Sequence, residues 1–302
     1  MTTRMVLAAL AAAVVMAERT PAGQDRPAFR SETTTVSVTV AVRDGNRPVA
    51  GLTAEDFQLT DAGAPQRVTD VAVESVPIDV TLIVDTSNSA RGEFDRFRQE
   101  IRQIAGFLRD QDRLRLLTID TYVHEFLPMQ LARAVPVPEP MTTGGMTSAY
   151  DALAAAMMTK VGLDRRHLII AMTDAWDTMS VLDAEAVREI ASRSEAVLHI
   201  ALTTETSGEY NPFPPRSLYH DRDLDLLQDA TSRTGGDLHA AGFFSAADAV
   251  DIFKKVFDDF RVSYVLHYSP AGVTRNGWHP LKVTVPTSPT YNVRARQGYF
   301  GG

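Results

Sequence analysis

The chain has 302 residues, 44% of them hydrophobic and 23% charged, with a formal net charge of -8. That composition excludes wholesale disorder, a collagen-like repeat and a polytopic membrane protein, and the length allows about two domains with a sizeable core. Cysteine is absent, which excludes disulfides, thiol catalysis and thiolate-held zinc or iron–sulfur centres, and the acidic balance lacks the basic footprint of a nucleic-acid binder.

The N-terminus reads as an export signal. Arg4 supplies a positive start, and Met5–Ala17 is an apolar run too short to span a bilayer comfortably. Residues 1–23 are therefore expected to be a signal peptide, cleaved near Ala17 or around Ala22–Gly23. A buried N-terminal helix or an uncleaved anchor is the alternative. Residues 24–33, polar and bearing Pro and Gly, read as a linker. No later stretch offers 18 apolar residues. The mature chain is expected to be secreted or periplasmic and envelope-associated, and not an integral membrane protein.

Residues 34–76 read as β-rich. Val36, Val38, Val40 and Val42 alternate with Ser37 and Thr39, the period of a half-buried strand. Asp44-Gly45-Asn46 is a turn signal, and Phe57–Leu59 and Arg67–Val73 are two more short strands around the turn Asp61–Pro65. Residues 262–302 are similar: Val262–Tyr268 alternates, Leu281, Val283 and Val285 share a face, and Tyr291–Ala295 is a candidate partner for that strand.

Between them, residues 77–261 change period. Val80–Val84, Leu114–Ile119, His167–Met172 and Val197–Leu202 are near-continuous apolar runs. They alternate with helical patterns over Glu93–Leu108, Ser148–Val161, Asp183–Ser192, Leu224–Thr234 and Ala246–Phe260. In the first of these, Phe94, Phe97, Ile101, Ile104 and Leu108 form one stripe. Strands buried on both faces between helices predict a mostly parallel sheet with crossover helices. The expected architecture is an α/β domain inserted between β-rich ends that fold together. Val135–Pro140 reads as a stiff extended connection.

Three segments carry chemistry. The first apolar strand runs into Asp85-Thr86-Ser87-Asn88-Ser89; Gly144-Gly145-Met146-Thr147 precedes a helix; Met172-Thr173-Asp174 closes another strand. Loops at the C-terminal ends of parallel strands are where such sheets hold ligands. Together the segments offer two carboxylates and three hydroxyls, the oxygen donors that a hard divalent cation takes. Only two donors are anionic, so such an ion stays able to accept an outside carboxylate.

The pattern resembles the metal-ion-dependent adhesion site of the von Willebrand factor type A family. Asp85, Ser87 and Ser89 match its Asp-x-Ser-x-Ser, Thr147 its distal Thr and Asp174 its distal Asp. The resemblance implies a Rossmann-like three-layer α/β domain with a mostly parallel central sheet, beside a small sandwich-like β domain from both chain ends. It implies Mg²⁺, or Mn²⁺ or Ca²⁺, held by Asp85, Ser87, Ser89, Thr147 and Asp174. It also implies a protein or peptide partner whose exposed Asp or Glu completes the coordination. The flanks, Gly51–Phe57 and Arg294–Phe300, resemble a mainly exported bacterial group with this domain. Ala175 departs from the glycine common after the Asp, and Ala90 from the larger residue common after the second Ser.

Other residues have plainer readings. Asp177 is a second-layer or capping residue, Asp120 a rim candidate, and Asp151 a support for the helix start. Thr86 and Asn88 are expected to bond loop backbone. Trp176 is either a contact anchor or a packed ring. His124, His167 and His199 have no metal-ligand spacing and are expected to be structural. Ser87 lacks a partner His, and Gly144-Gly145 lacks the Lys of a phosphate loop. The expected function is a cation-dependent binding or adhesion module, without enzymatic activity. The alternatives are a structural envelope component with a stabilising metal, or, with less support, a metal-assisted hydrolase.

Overall fold

A computed structural model describes residues 35–45, 47–73, 76–90, 93–140, 143–162, 164–203, 218–240 and 246–301. The expected signal peptide and linker lie outside these residues. Among the described residues no helix is long and apolar enough to cross a membrane.

The first part of the chain forms β1 (Val36–Asp44), β2 (Arg47–Pro48), β3 (Gln58–Asp61), β4 (Ala64–Gln66) and β5 (Val68–Val73). The middle forms β6 (Ile78–Asp85), α1 (Glu93–Gly106), β7 (Arg113–Ile119), β8 (Val123–Leu131), α2 (Ala149–Met158), β9 (Arg166–Thr173), α3 (Ala184–Arg193), β10 (Val197–Leu202), α4 (Leu218–Thr234), β11 (Leu238–Ala240) and α5 (Ala246–Arg261). The last part forms β12 (Tyr264–Tyr268), β13 (Gly277–Thr284), β14 (Asn292–Ala295) and β15 (Gly298–Gly301).

The central sheet runs β11-β10-β9-β6-β7-β8. All its pairings are parallel except β7 with β8. Every residue of β6 is buried, as expected of a central strand covered on both faces. Ile78, Val80, Leu82 and Val84 pack in one layer with Phe94, Phe97, Ile101 and Ile104 of α1 and Phe253 and Phe257 of α5. Ile83 packs in the other layer with Leu153 of α2, Val187 of α3 and Leu227 of α4. The molecule is thus an α/β fold with a helical layer on each face of the sheet. Each large apolar side chain so buried contributes roughly 1.5–3 kcal/mol relative to exposure. The extended connection at residues 135–140 carries no helix or strand.

The two chain ends combine in two further sheets. One runs β14-β1-β12-β5, with β2 beside β1; the other runs β15-β13-β3-β4. Val38, Val40, Leu59, Tyr264, Leu266, Tyr268 and Val283 share their core. One expected pairing is corrected. The strand at Tyr291–Ala295 does not join the Leu281 strand but pairs antiparallel with β1, Val40 opposite Ala295. The Leu281–Thr284 stretch pairs with β3, and the preceding Gly277–Pro280 pairs with β15.

Ion pairs tie segments together at buried acids. Asp79, fully buried at the start of β6, accepts from Arg113 Nε at 2.8 Å and Arg165 Nε at 2.6 Å. Burial pushes its carboxyl up, but the two guanidiniums outweigh that and hold it below the usual range. Arg43 of β1 pairs with buried Asp259 of α5.

His167 and His199 of the central sheet are buried. His167 is 4% exposed, and its Nε2 lies 2.9 Å from Thr81 Oγ1. Burial pushes His167 from 6.5 down to about 4. His199, also buried, shifts the same way, with His239 Nε2 3.0 Å from its Nδ1. The unfolded chain binds a proton at His167 below about pH 6.5, while the folded chain resists it until about pH 4. Stability from this residue is therefore present above pH 6.5 and lost as pH falls toward 4, by at most about 3 kcal/mol. Thermal melts between those values should show a shallower acid slope for His167→Gln than for the unsubstituted chain. Equal slopes would remove His167 from the account of acid sensitivity.

Candidate metal centre

The parallel register brings the three segments to one end of the sheet. Ile119 lies opposite Asp85, and Met172 opposite Val84, so β6, β7 and β9 finish together. Asp85 is 1% exposed. Its Oδ1 accepts from Ser87 N at 2.9 Å, which closes the turn after β6. Its Oδ2 accepts from Thr173 Oγ1 at 2.7 Å, across the sheet on β9. Ser87 is buried, and its hydroxyl lies 3.2 Å from that of half-buried Ser89.

Backbone bonds fasten the second segment to the first. Gly144 N donates to Thr86 O at 2.8 Å, and Asn88 N donates to Gly145 O at 3.1 Å. Gly145 has φ +88°, and a Cβ there would meet Thr121 Oγ1 at 2.8 Å. Both a left-handed backbone and a close approach thus demand glycine. Gly145→Ala should cost about 1–3 kcal/mol in denaturant unfolding. A neutral result would mean that the loop has other conformations open to it.

The third segment locks the second from the other side. Thr147 O accepts from Thr178 N at 3.0 Å and Met179 N at 2.9 Å, while Thr147 N donates to Thr178 Oγ1 at 3.0 Å. Asp177 Oδ2 accepts from Tyr150 N at 3.0 Å, and Ser180 Oγ accepts from Asp151 N at 3.0 Å. These two side chains satisfy amides in the first turn of α2. Asp151 returns the contact by accepting from Val181 N and Leu182 N, each at 3.0 Å. Asp177 is thus a capping residue. Asp120 lies at the rim, where its Oδ1 accepts from Tyr122 N at 2.8 Å. Thr86 Oγ1 donates to Ile119 O, a loop-backbone bond.

Asp174 ends the set. Its Oδ1 accepts from Trp176 N at 2.9 Å. Its Oδ2 is buried with no hydrogen-bond partner. Ala175 between them holds φ +59°, the left-handed region that favours glycine. Its N–H donates to Thr173 Oγ1 at 3.0 Å, so the strain is held by the same threonine that binds Asp85. Burial first, and then the charge of Asp174, push Asp85 up to about 6.

Among the described residues, no group of three or more His, Cys, Asp and Glu side chains is placed to hold a metal. The candidate set holds only two carboxylates, and its other members are hydroxyls. Two features of the site fit a hard cation. Two acids repel each other in a buried place, and a carboxylate oxygen there has nothing to bond. Oxygen donors alone suit Mg²⁺ or Ca²⁺ rather than a soft metal. Sequence reasoning named the five residues but missed Thr173, Thr178 and Ser180 as the ties between them. Asp177-Thr178-Met179-Ser180 carried a turn signal; nothing local announced Thr173.

No family model matches the chain, and no curated protein matches it. Solved structures show distant likeness at low identity. A von Willebrand factor type A protein from Catenulispora acidiphila is 12% identical, with 91% of this chain and 65% of that chain covered and a TM-score of 0.47. The ArnB paralog VWA2 from Sulfolobus acidocaldarius is 10% identical, covering 86% and 75%, at 0.48. The pilus adhesin SpaC from Lactobacillus rhamnosus GG, in its open conformation, is 11% identical, covering 85% and 48%, at 0.45. The chain is thus distantly similar in structure to von Willebrand factor type A and pilus-adhesin proteins.

Proposed function

We propose that this chain is an exported binding module of the von Willebrand factor type A kind, and that a divalent cation at the strand ends takes up a carboxylate from a protein partner. The observation that carries this reading is the orphaned, buried Oδ2 of Asp174 beside the disfavoured charge of Asp85. Ser87, Ser89 and Thr147 would supply neutral oxygens, and Asp85 and Asp174 the charge. A bound Mg²⁺ supplies Lewis acidity toward an incoming carboxylate. The chain's own part is to hold these oxygens on three loops already bonded to one another.

Capture of partners from an envelope fraction, with Mg²⁺ and with EDTA, tests this reading. Binding should need the ion and should be lost in Asp85→Ala. Partners retained equally in EDTA and by the variant would defeat it. A chelator that lowers the melting temperature but leaves partner affinity unchanged would favour the structural alternative instead.

A further inference from the structure

Four of the nine large hydrophobic side chains exposed among the described residues border the candidate metal centre: Tyr122 (69%), Met146 (44%), Met179 (43%) and Val181 (92%). Hydrogen bonds place them around Thr147. Tyr122 follows Thr121, whose Oγ1 accepts from Met146 N at 3.2 Å. Met146 precedes Thr147, and Met179 N donates to Thr147 O. Val181 N donates to Asp151 in the first turn of α2. The loops are therefore fixed by their backbones while apolar side chains face water. Exposed apolar groups gathered at one place mark a contact surface, because each gives up the gain of burial until a partner covers it.

Charge narrows the partner. Segments 85–90, 120–122, 143–151 and 174–182 contain Asp85, Asp120, Asp151, Asp174 and Asp177 and no Lys or Arg, with Arg91 next along the chain and His124 Nε2 3.2 Å from Asp120 Oδ1. A single dication offsets Asp85 and Asp174, and the half-buried Asp120, Asp151 and Asp177 leave the rim with an excess of acid. A uniformly acidic partner would be repelled, and a purely apolar one would leave the acids unanswered.

We propose that the partner is a protein segment with one Asp or Glu, apolar side chains beside it, and Lys or Arg flanking these. Tyr122, Met146, Met179 and Val181 take the apolar side chains, and the acidic rim favours the basic ones. This rests on the cation reading above for the single carboxylate; the apolar and basic preferences come from the rim. Attraction by the rim is screened by salt.

The test is selection of loop-constrained displayed peptides, with a fixed central Asp and random flanks, on the full chain in Mg²⁺. Enriched flanks should combine Leu, Met, Phe or Trp with Lys or Arg. A synthetic peptide of the enriched sequence should bind the Tyr122→Ser, Met146→Ser, Val181→Ser triple variant about tenfold or more weakly, a loss of about 1.4 kcal/mol or more. The triple variant should keep any rise in melting temperature that Mg²⁺ gives the unsubstituted chain. Polar or acidic flanks, or equal binding by the triple variant, overturns the proposed surface. If Mg²⁺ leaves the melting temperature of the unsubstituted chain unchanged and the peptides bind in EDTA, the cation reading fails, and the carboxylate in the partner with it.

Discussion

Asp61→Ala is expected to cost about 3–5 kcal/mol of folding stability, a large fraction of what a domain has. Asp61, at the end of β3, is fully buried. Its Oδ1 accepts from His279 Nδ1 at 2.9 Å, and its Oδ2 accepts from Tyr268 at 2.8 Å and Tyr299 at 2.9 Å. The His279 ring, itself 2% exposed, stacks on Tyr299 with centroids 4.7 Å apart. One carboxylate from the first part of the chain thus satisfies three donors from the last part. Burial raises both phenols, Tyr299 to about 12, so they stay protonated and keep donating. Alanine would strand the buried Tyr268 hydroxyl and the His279 imidazole N–H and take a partner from the half-buried Tyr299 hydroxyl, at the cost of unmet donors. Urea unfolding with an unchanged slope and a lower midpoint is the expected result. A loss below about 1 kcal/mol would mean that the two ends are not joined through this network.

Asp85→Asn is expected to act in opposite directions on stability and on binding. In the metal-free chain, Asp85 is ionised against burial and against Asp174. Its value, raised from 3.8 to about 6, makes the charged form unfavourable to folding above about pH 6. The neutral amide removes that penalty, at most about 3 kcal/mol at neutral pH. Some of this is given back, because Thr173 Oγ1 and Ser87 N both donate to Asp85 and an amide offers only one acceptor oxygen. The variant should therefore melt no lower than the unsubstituted chain in EDTA at pH above 6. On the proposed cation reading, it should also lose any rise in melting temperature that Mg²⁺ gives the unsubstituted chain. Such a trade of stability for a charged site is common at binding centres. A variant that still gains from Mg²⁺, or that melts many degrees lower without it, would count against the assignment of Asp85.

Much of the fold was legible, and the reason is periodicity. The four continuous apolar runs became β6, β7, β9 and β10 because both faces of a central strand are covered. The Phe94–Ile104 stripe became the inner face of α1. The edges were harder. Val123–Leu131 contains Pro128, and its burial does not alternate cleanly, so β8 gave no strand signal. Its pairing with β7 shifts register around Leu114–Leu117, which breaks the pattern further. The pairing of β14 with β1 joins residues about as far apart as the chain allows, and local alternation says nothing of such distances.

The candidate site divides along the same line. Asp85, Thr147 and Asp174 were legible because apolar strands and a helix start fixed where the loops had to be. Thr173 was not, since its role depends on β9 lying beside β6 in one register. Asp177 could be read as a cap or as a support. The bond from Tyr150 N decides for the cap.

On the proposed reading, Asp85, Ser87, Ser89, Thr147 and Asp174 bind a divalent cation. Calorimetric titration of Mg²⁺ into the metal-free full chain, with Asp174→Ala measured beside it, tests this. Saturable binding of one ion is expected in the unsubstituted chain and its loss in the variant. An unsubstituted chain that takes up no ion, or a variant that binds it equally well, would overturn the assignment.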